Sequence, residues 1–247
     1  MTPRAHARAT ESSSAVLLRS VAYGESDRIV TLLTDAHGKV SLIARSARAS
    51  KKRFGGGALE AFGMIDVEMS LGAGEVGRLA SARLVRGFPR LLGSLDRMKQ
   101  AGSGLELVRE LVPQREPDPR FVPTVARFFE RLEEESAGPE VRIAFELRFL
   151  ALVGLSPRLD ACGRCGRSAE ERAGLFDAGI GALVCRACGG GPIHLGASTR
   201  ARMIASQREG WDEQARGWSE RERAEASEAL DAFVRSQLGK ARAGAES

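Results

Sequence analysis

The stretch RIVTLLTDAHGKVSLIAR, residues 28–45, predicts a β-hairpin and decides the fold of the N-terminal third of the chain. Two β-like runs flank the compact turn DAHGK at residues 35–39, where Gly38 is able to adopt a positive φ. Three more runs of this kind are AVLLRSVAY, MIDVEMSL and RLASARLV, at residues 15–23, 64–71 and 78–85. The sequence therefore predicts a series of short strands joined by turns.

Five short strands within about seventy residues are typical of a small closed barrel. The OB-fold is the most common five-stranded barrel that binds nucleic acid, and we expect it for residues 15–87, although the pattern alone also allows an SH3-like barrel. Residues 1–14 have positive charge but no apolar run behind it, so we expect a short disordered tail there rather than a secretory signal.

Beyond the barrel region, the apolar spacing becomes that of helices. Four segments have this spacing, at residues 118–135, 139–157, 198–207 and 219–241. In the last of them, Ser219 and Glu222 have the spacing of a capping box. We expect residues 88–158 and 193–242 to form one mainly α-helical domain, with a small module at residues 159–192 inserted into it. The predicted fold class is therefore α+β multidomain.

The inserted module holds all four cysteines of the chain as two C-x-x-C pairs, Cys162 with Cys165 and Cys185 with Cys188. Each pair lets two thiolates from one tight turn reach the same ion, and Zn²⁺ prefers four such ligands in a tetrahedron. The segment GLFDAGIGALV between the pairs predicts a hairpin that brings them together. We expect one structural Zn²⁺, because four thiolates close the shell and leave no open position for catalysis.

Positive charge is concentrated in the N-terminal third. Residues 1–87 contain 13 Lys/Arg and 8 Asp/Glu, whereas the rest of the chain contains 24 of each. The densest basic segment is RSARASKKRFGGG, residues 45–57, which predicts salt-sensitive contacts with nucleic-acid phosphates. Phe54 is a candidate for stacking on a base. A solvated basic loop with Phe54 packed into the barrel is the alternative interpretation.

The sequence predicts no enzyme. It has only 3 histidines and no G-x-S-x-G motif, and the glycines at residues 55–57 are not followed by the Gly-Lys-Ser/Thr of a phosphate-binding loop. No apolar run is long enough to cross a membrane. With no such run and no secretory signal, we expect a cytoplasmic protein, and in the cytoplasm C-x-x-C pairs favour a metal over disulfides.

The segment YGESDRIVTLLTDAHGKVSLIARSARASKKRFGGGALEAF, residues 23–62, resembles the N-terminal domain of the bacterial recombination mediator RecO family. That family has a Y-x-E-x-D strand start, a T-x-x-x-G-K turn, an A-R-G-x-R strand end and a basic loop, with Ser46 here in place of the family's Gly. FELRFLALVGLSPRLDAC at residues 145–162, the paired cysteines and FVRSQLGKARA at residues 233–243 are also similar to the family.

The resemblance implies a cytoplasmic, nucleoid-associated DNA-repair protein without enzymatic activity. It implies binding of single- and double-stranded DNA, annealing of complementary strands, action with RecR, and loading of recombinase onto DNA coated by single-stranded DNA-binding protein, whose acidic C-terminal tail the family contacts. The implied DNA contacts are Arg45, Arg48, Lys51, Lys52 and Arg53, with Arg28 and Lys39 as weaker candidates. The basic residues to test for tail binding are Arg127, Arg131, Arg142 and Arg148. The alternative function is a zinc-ribbon accessory factor of transcription or translation that binds RNA or polymerase.

Overall fold

The computed structural model describes residues 10–72, 74–169 and 172–245. The chain divides into two compact units. The barrel unit comprises the residues up to Leu95 together with Val112–Phe129, and the helical unit comprises Asp96–Leu111 together with Glu130–Ser247.

The barrel unit contains a closed five-stranded barrel, which confirms the predicted OB-like fold. Its strands are β1 (Glu11–Tyr23), β2 (Asp27–Thr34), β3 (Gly38–Ala44), β4 (Gly63–Ser70) and β5 (Val76–Gly87). The strand order is β1-β2-β3-β5-β4, and β4 pairs with β1 to close the ring. Every neighbouring pair is antiparallel except β3 with β5, which is parallel. Gly38 begins β3 with φ of 64°, as the turn requires.

The first strand begins earlier than expected. Residues 11–14 lie in the segment that the sequence assigns to a disordered tail, but Glu11 pairs with Met69 and Ser14 pairs with Asp66. The prediction of disorder is wrong for these residues, because the backbone hydrogen bonds of β4 favour an extended partner even where its side chains are serines. The remainder of the predicted tail, residues 1–9, lies outside the described residues.

Alternate side chains of the strands fill the barrel interior, as the period of two requires. Buried apolar residues from every strand and from residues 54–59 form one cluster: Ala15, Leu17, Val30, Leu32, Val40, Leu42, Ala44, Phe54, Ala58, Leu59, Ile65, Val67, Met69, Leu79 and Ala82. With the interior filled by its own side chains, the barrel offers ligands its outer surface rather than a cavity.

The helices are α1 (Lys51–Phe54), α2 (Pro89–Leu92), α3 (Leu95–Leu111), α4 (Phe121–Glu133), α5 (Glu140–Leu152), α6 (Ala197–Ser206) and α7 (Glu220–Ala245). The last four confirm the four predicted helical segments, whereas α3 was not predicted. The capping box is also confirmed, since the Ser219 N–H donates to the Glu222 carboxylate at 2.7 Å and the Glu222 N–H donates to Ser219 Oγ at 3.3 Å.

The cysteine module lies between α5 and α6 and contains a small sheet. Its strands are β6 (Arg158–Cys162), β7 (Gly174–Asp177), β8 (Ala182–Leu183) and β9 (Ile193–Leu195), in the order β6-β8-β7-β9. The predicted hairpin is the antiparallel pair β7 and β8, and its turn is capped by Asp177, whose carboxylate accepts from the N–H of Gly179 and of Ile180. Within the described residues, every helix is too short or too polar to cross a membrane.

Candidate nucleic-acid interface and metal centre

The strands β1, β2 and β3 form an open face on the outside of the barrel. Ile29 in β2 pairs with Val21 in β1 and with Ile43 in β3. Directly opposed residues of an antiparallel ladder share a face, and Val30, the next residue along β2, is fully buried in the interior. The row of Val21, Ile29 and Ile43 therefore points outward.

The outward face combines apolar and aromatic groups with arginines at its margins. Tyr23 is 54% exposed, Val21 is 37% exposed and Val76, at the start of β5, is 49% exposed. Arg19 pairs with Thr31 on the same outward side, and Arg78 pairs with Ile43 through the parallel β3–β5 ladder. Both arginines are exposed, and neither has a hydrogen-bond or ion-pair partner among the residues that the structure describes.

This combination suits a flexible polyanion with flat bases. An exposed tyrosine ring stacks on any base, and unpaired guanidinium groups neutralise phosphates without reading sequence. OB-folds bind oligonucleotides on the corresponding face. Sequence reasoning missed Arg19, Tyr23 and Arg78, although the alternation of Arg19, Val21 and Tyr23 along β1 is a signal that could have identified an outward row.

Within the predicted basic segment, the charged residues 45–53 lie directly after β3 and extend into the single turn of α1. Arg45 and Lys52 are exposed, and their side chains have no polar partner within the described part of the chain. The Arg48 guanidinium donates to the Glu25 carbonyl at 3.3 Å. Arg45 and Lys52 thus offer their full charge to an anion, whereas Arg48 already holds a neighbouring turn.

Arg53 supports the shape of the basic segment from within. Its guanidinium donates to the Arg45 carbonyl at 3.0 Å and to Ser50 Oγ at 3.1 Å, and it lies over the Phe54 ring at 5.1 Å from the centroid. The side chain of Lys51 lies outside the described residues. Three of the five main DNA-contact candidates are therefore exposed at one end of β3, and Arg53 is half-buried beside them.

Three other candidates occupy different environments. Phe54 is 8% exposed and belongs to the barrel core, so its position does not support base stacking; the alternative interpretation, a phenylalanine packed into the barrel, describes it. Arg28 is half-buried on the same side of β2 as Val30 and donates to Ser20 Oγ at 3.2 Å. The Lys39 carbonyl accepts the Arg115 N–H at 2.9 Å, so another chain segment lies along this residue.

A groove of about 920 Å³ runs beside α1, between the basic segment and strands β1, β4 and β5. Lys52 and Arg53 line one side, while Asp66 and Glu68 line the other. Arg83 forms an ion pair with Asp66 at 2.5 Å across the β4–β5 ladder. Because the acids offset much of the basic charge, the groove suits a phosphate backbone less well than the open face does.

The four cysteines lie together, as their spacing predicts. Their Sγ atoms are all within 4.8 Å of one another, and the Sγ atoms of Cys165 and Cys185 are 3.8 Å apart. Four sulfurs at about 2.3 Å from one zinc ion lie about 3.8 Å from each other, and a disulfide would need about 2.05 Å. The geometry of the cluster therefore fits a tetrahedral metal ion and does not fit a disulfide.

Backbone amides stabilise thiolate at this cluster. The Cys185 N–H donates to the Cys162 sulfur at 3.4 Å, and this bond, with a second from the Cys165 N–H, lowers the pKa of Cys162 to about 6. The pKa of Cys188 rises to about 12, because the side chains of Cys185 and Cys165 lie close to it. A divalent cation at the centre of the cluster would favour the thiolate form of all four sulfurs.

Glycines allow the two C-x-x-C turns to close. Gly166 and Gly189 follow the two pairs with φ of 72° and 103°. A Cβ on Gly163 would lie 2.6 Å from the Ala182 Cβ, so the first turn packs directly on β8. His194 is exposed, is not among the clustered ligands and lies 3.8 Å from Glu225.

The arginines considered for tail binding are engaged within the fold. Arg131 is buried, and it pairs with Glu134 at 2.6 Å and donates to the Asp212 carbonyl. Arg142 pairs with Glu146 and Asp231. The Arg148 guanidinium donates to the Gln207 carbonyl. The guanidinium groups of Arg131, Arg142 and Arg148 thus have structural roles, so a tail that uses them would have to compete with these bonds. Arg127 is exposed.

Comparison with known proteins identifies the family of the chain. The family model for Recombination protein O N terminal matches residues 9–88, and the model for Recombination protein O C terminal matches residues 92–245. The DNA repair protein RecO of Anaeromyxobacter sp. (strain K) is 42% identical over 230 residues, which cover 91% of this chain and 90% of that protein. The DNA repair protein RecO of Myxococcus xanthus (strain DK1622) is 43% identical over 175 residues, 71% of each chain. The chain therefore belongs to the RecO family of DNA repair proteins.

Proposed function

We propose that this protein is a non-enzymatic recombination mediator. It binds single- and double-stranded DNA, anneals complementary strands and, with RecR, helps load recombinase onto DNA coated by single-stranded DNA-binding protein. The observation that carries the DNA-binding part is the open face of the barrel, which presents the exposed Tyr23 together with Arg19 and Arg78, two arginines without a polar side-chain partner among the described residues. Family membership supports the role in repair.

The mechanism needs charge neutralisation and no chemistry. Backbone phosphates lie along Arg19, Arg78, Arg45 and Lys52, and the bases stack on Tyr23 and on the apolar row behind it. Reduced phosphate repulsion lets a second strand approach and pair. The acidic tail of the coating protein binds the helical unit, and one structural Zn²⁺ at the four cysteines holds the inserted module in place.

DNA binding is tested with fluorescently labelled single-stranded oligonucleotides and the full chain. We expect Tyr23→Ala to weaken binding about tenfold, since stacking contributes about 1–3 kcal/mol per base. Tyr23→Phe keeps the ring and should bind nearly as well as the unmodified protein. Leu92→Ala, which truncates an exposed apolar residue of α2, is the matched control. Unchanged affinity in both Tyr23→Ala and the Arg19→Ala/Arg78→Ala double variant would refute binding on this face.

The mediator role has its own test. The full chain should speed the annealing of complementary strands that are coated with single-stranded DNA-binding protein, and the effect should fall when the acidic tail of the coating protein is deleted. A protein that binds bare DNA but does not anneal coated strands would contradict the mediator function while leaving DNA binding intact.

A further inference from the structure

A short strap, residues 112–119, crosses the barrel beside the first residues of β3. Gln114 forms a parallel bridge with Lys39, and the Arg115 N–H donates to the Lys39 carbonyl at 2.9 Å. The strap and the barrel strands belong to the same compact unit. The strap thus pairs with an edge of β3 that would otherwise expose backbone groups.

The strap occupies a place in the ladder that β5 leaves open. β5 joins β3 in parallel only from Val76, which pairs with Ser41. Because parallel partners advance together along the two strands, continuing β5 backwards would put Gly74 opposite Lys39. Gln114 takes that place instead. The loop between β4 and β5 must therefore pass beside the strap.

The Arg115 side chain ties the strap to this loop. Its guanidinium donates to the Gly72 carbonyl at 2.8 Å and also to the Gly74 carbonyl. Both carbonyls belong to the loop between β4 and β5, which leads into Val76 and Arg78. One planar fork thereby holds this loop at two points, which a point charge on a flexible stem could not do equally well.

The strap has little room to shift. A Cβ on Gly38 would lie 2.2 Å from the Glu116 carbonyl oxygen, so the strap lies directly on the β2–β3 turn. Arg115 itself has φ of 59°, a left-handed conformation that is uncommon for a residue with a long side chain. Such a conformation persists where the surrounding contacts enforce it, and these conformations occur most often at functional sites.

We propose that Arg115 is a positioning residue for DNA binding: it holds the β4–β5 loop so that Val76 and Arg78 complete the open face. This inference rests on the proposed binding of single-stranded DNA at that face. Arg115 acts through the loop and does not itself contact the strand.

The test is a double-mutant cycle between Arg115 and Arg78, measured as affinity for a labelled single-stranded oligonucleotide. We expect Arg115→Ala to weaken binding about fivefold in the unmodified protein and by less than about twofold when Arg78→Ala is already present, because coupled residues are not additive. The affinity of Arg115→Lys should lie between those of the unmodified protein and Arg115→Ala, since one ammonium group reaches fewer carbonyls than a guanidinium group does. Arg208→Ala, which removes an exposed arginine of the helical unit, controls for net charge and should leave affinity unchanged.

Hydrogen exchange separates positioning from general destabilisation. In Arg115→Ala, the amides of residues 71–78 should exchange faster, while those of β2 should be unchanged. Faster exchange in all five strands would overturn the local role. Full affinity in Arg115→Ala while Arg78→Ala loses binding, or losses that multiply in the double variant, would also overturn it. If Arg78→Ala and Tyr23→Ala both bind DNA normally, the proposed binding of DNA at the open face fails instead.

Discussion

The barrel and the cysteine module hold short strands together in different ways. The barrel closes a ring of strands that are 7–13 residues long around a filled apolar interior. The module has strands of only 2–5 residues, and the sulfur atoms of its four cysteines lie together in one cluster. Burial of apolar area stabilises the first, whereas a bound ion would stabilise the second.

This difference separates the region that we propose to bind DNA from the region that we propose to have only a structural role. Because the apolar interior stabilises the barrel, its outer face stays open. Tyr23, Arg19 and Arg78 lie on that face, and no hydrogen bond or ion pair of their side chains occurs among the described residues. The sulfurs of the module face one another, and a tetrahedral metal would use all of them. The following tests would break or sharpen this comparison.

The largest expected effect is loss of the metal. Chelation, or Cys162→Ser, should unfold the module and cost about 5 kcal/mol or more, because the binding energy of a structural metal is folding energy. Hydrogen exchange should rise across residues 158–195 and stay unchanged in the barrel strands. Added Zn²⁺ should restore protection to the chelated protein and not to the variant. An unchanged melting curve after chelation would contradict the dependence of the module on metal.

The barrel should be most sensitive where the strap meets its turn. Gly38→Ala adds a Cβ that would lie 2.2 Å from the Glu116 oxygen at a residue with positive φ, so we expect a loss of roughly 4 kcal/mol of stability. Gly24→Ala is the matched control: its φ is 62°, but nothing lies within 4 Å of the added Cβ, so only about 1 kcal/mol should be lost. Denaturant unfolding measures both. Equal losses of stability in the two variants would mean that the strap moves away from the added Cβ at little cost in free energy.

A buried carboxyl group should make the helical unit sensitive to pH. Burial raises the pKa of Glu146 to about 7 even though Arg142 lies 2.8 Å away, and Asp231 adds a second negative charge. The folded state then binds a proton that the unfolded state releases above pH 4.5. The contribution of Glu146 to the free energy of unfolding is therefore fully present below that pH. This contribution falls by roughly 3 kcal/mol as the pH rises through the folded-state pKa of about 7.

Tryptophan fluorescence isolates this effect, because Trp211 and Trp218 both lie in the helical unit. Denaturant midpoints at pH 5 and pH 8 should differ in the unmodified protein. In Glu146→Gln the midpoints should be closer together. A variant that keeps the full difference would assign the pH dependence to other groups.

Local pattern predicted what depends on spacing and missed what depends on register. The five β-like runs and the two C-x-x-C pairs were sufficient to predict the barrel and the clustering of the four cysteines. Helix α3 was missed because Gly102 and Gly104 lower its propensity and its apolar spacing is weak. Phe54 and Tyr23 show the same limit: which ring is exposed depends on how strands pair, and no single segment contains that information.

The smallest expected effect is on DNA affinity, measured for variants of the basic segment and of the open face. Lys51→Ala/Lys52→Ala/Arg53→Ala should weaken DNA binding about tenfold at low salt and reduce the slope of log affinity against log salt by about 2, since each lost phosphate contact on a single strand removes about 0.7. Tyr23→Ala should weaken binding without changing that slope, because stacking releases no counterions.

Structure also separates the members of the basic segment. Lys52 has no side-chain partner among the described residues, so Lys52→Ala should lower affinity and the salt slope and leave the melting temperature unchanged. Arg53→Ala also removes the bonds to Arg45 and Ser50 and should lower the melting temperature. A triple variant of exposed arginines in the helical unit, Arg167→Ala/Arg186→Ala/Arg208→Ala, removes the same net charge. If it changes the salt slope as much as the barrel variant does, then DNA also contacts the helical unit, and the separation of binding barrel from supporting module is wrong.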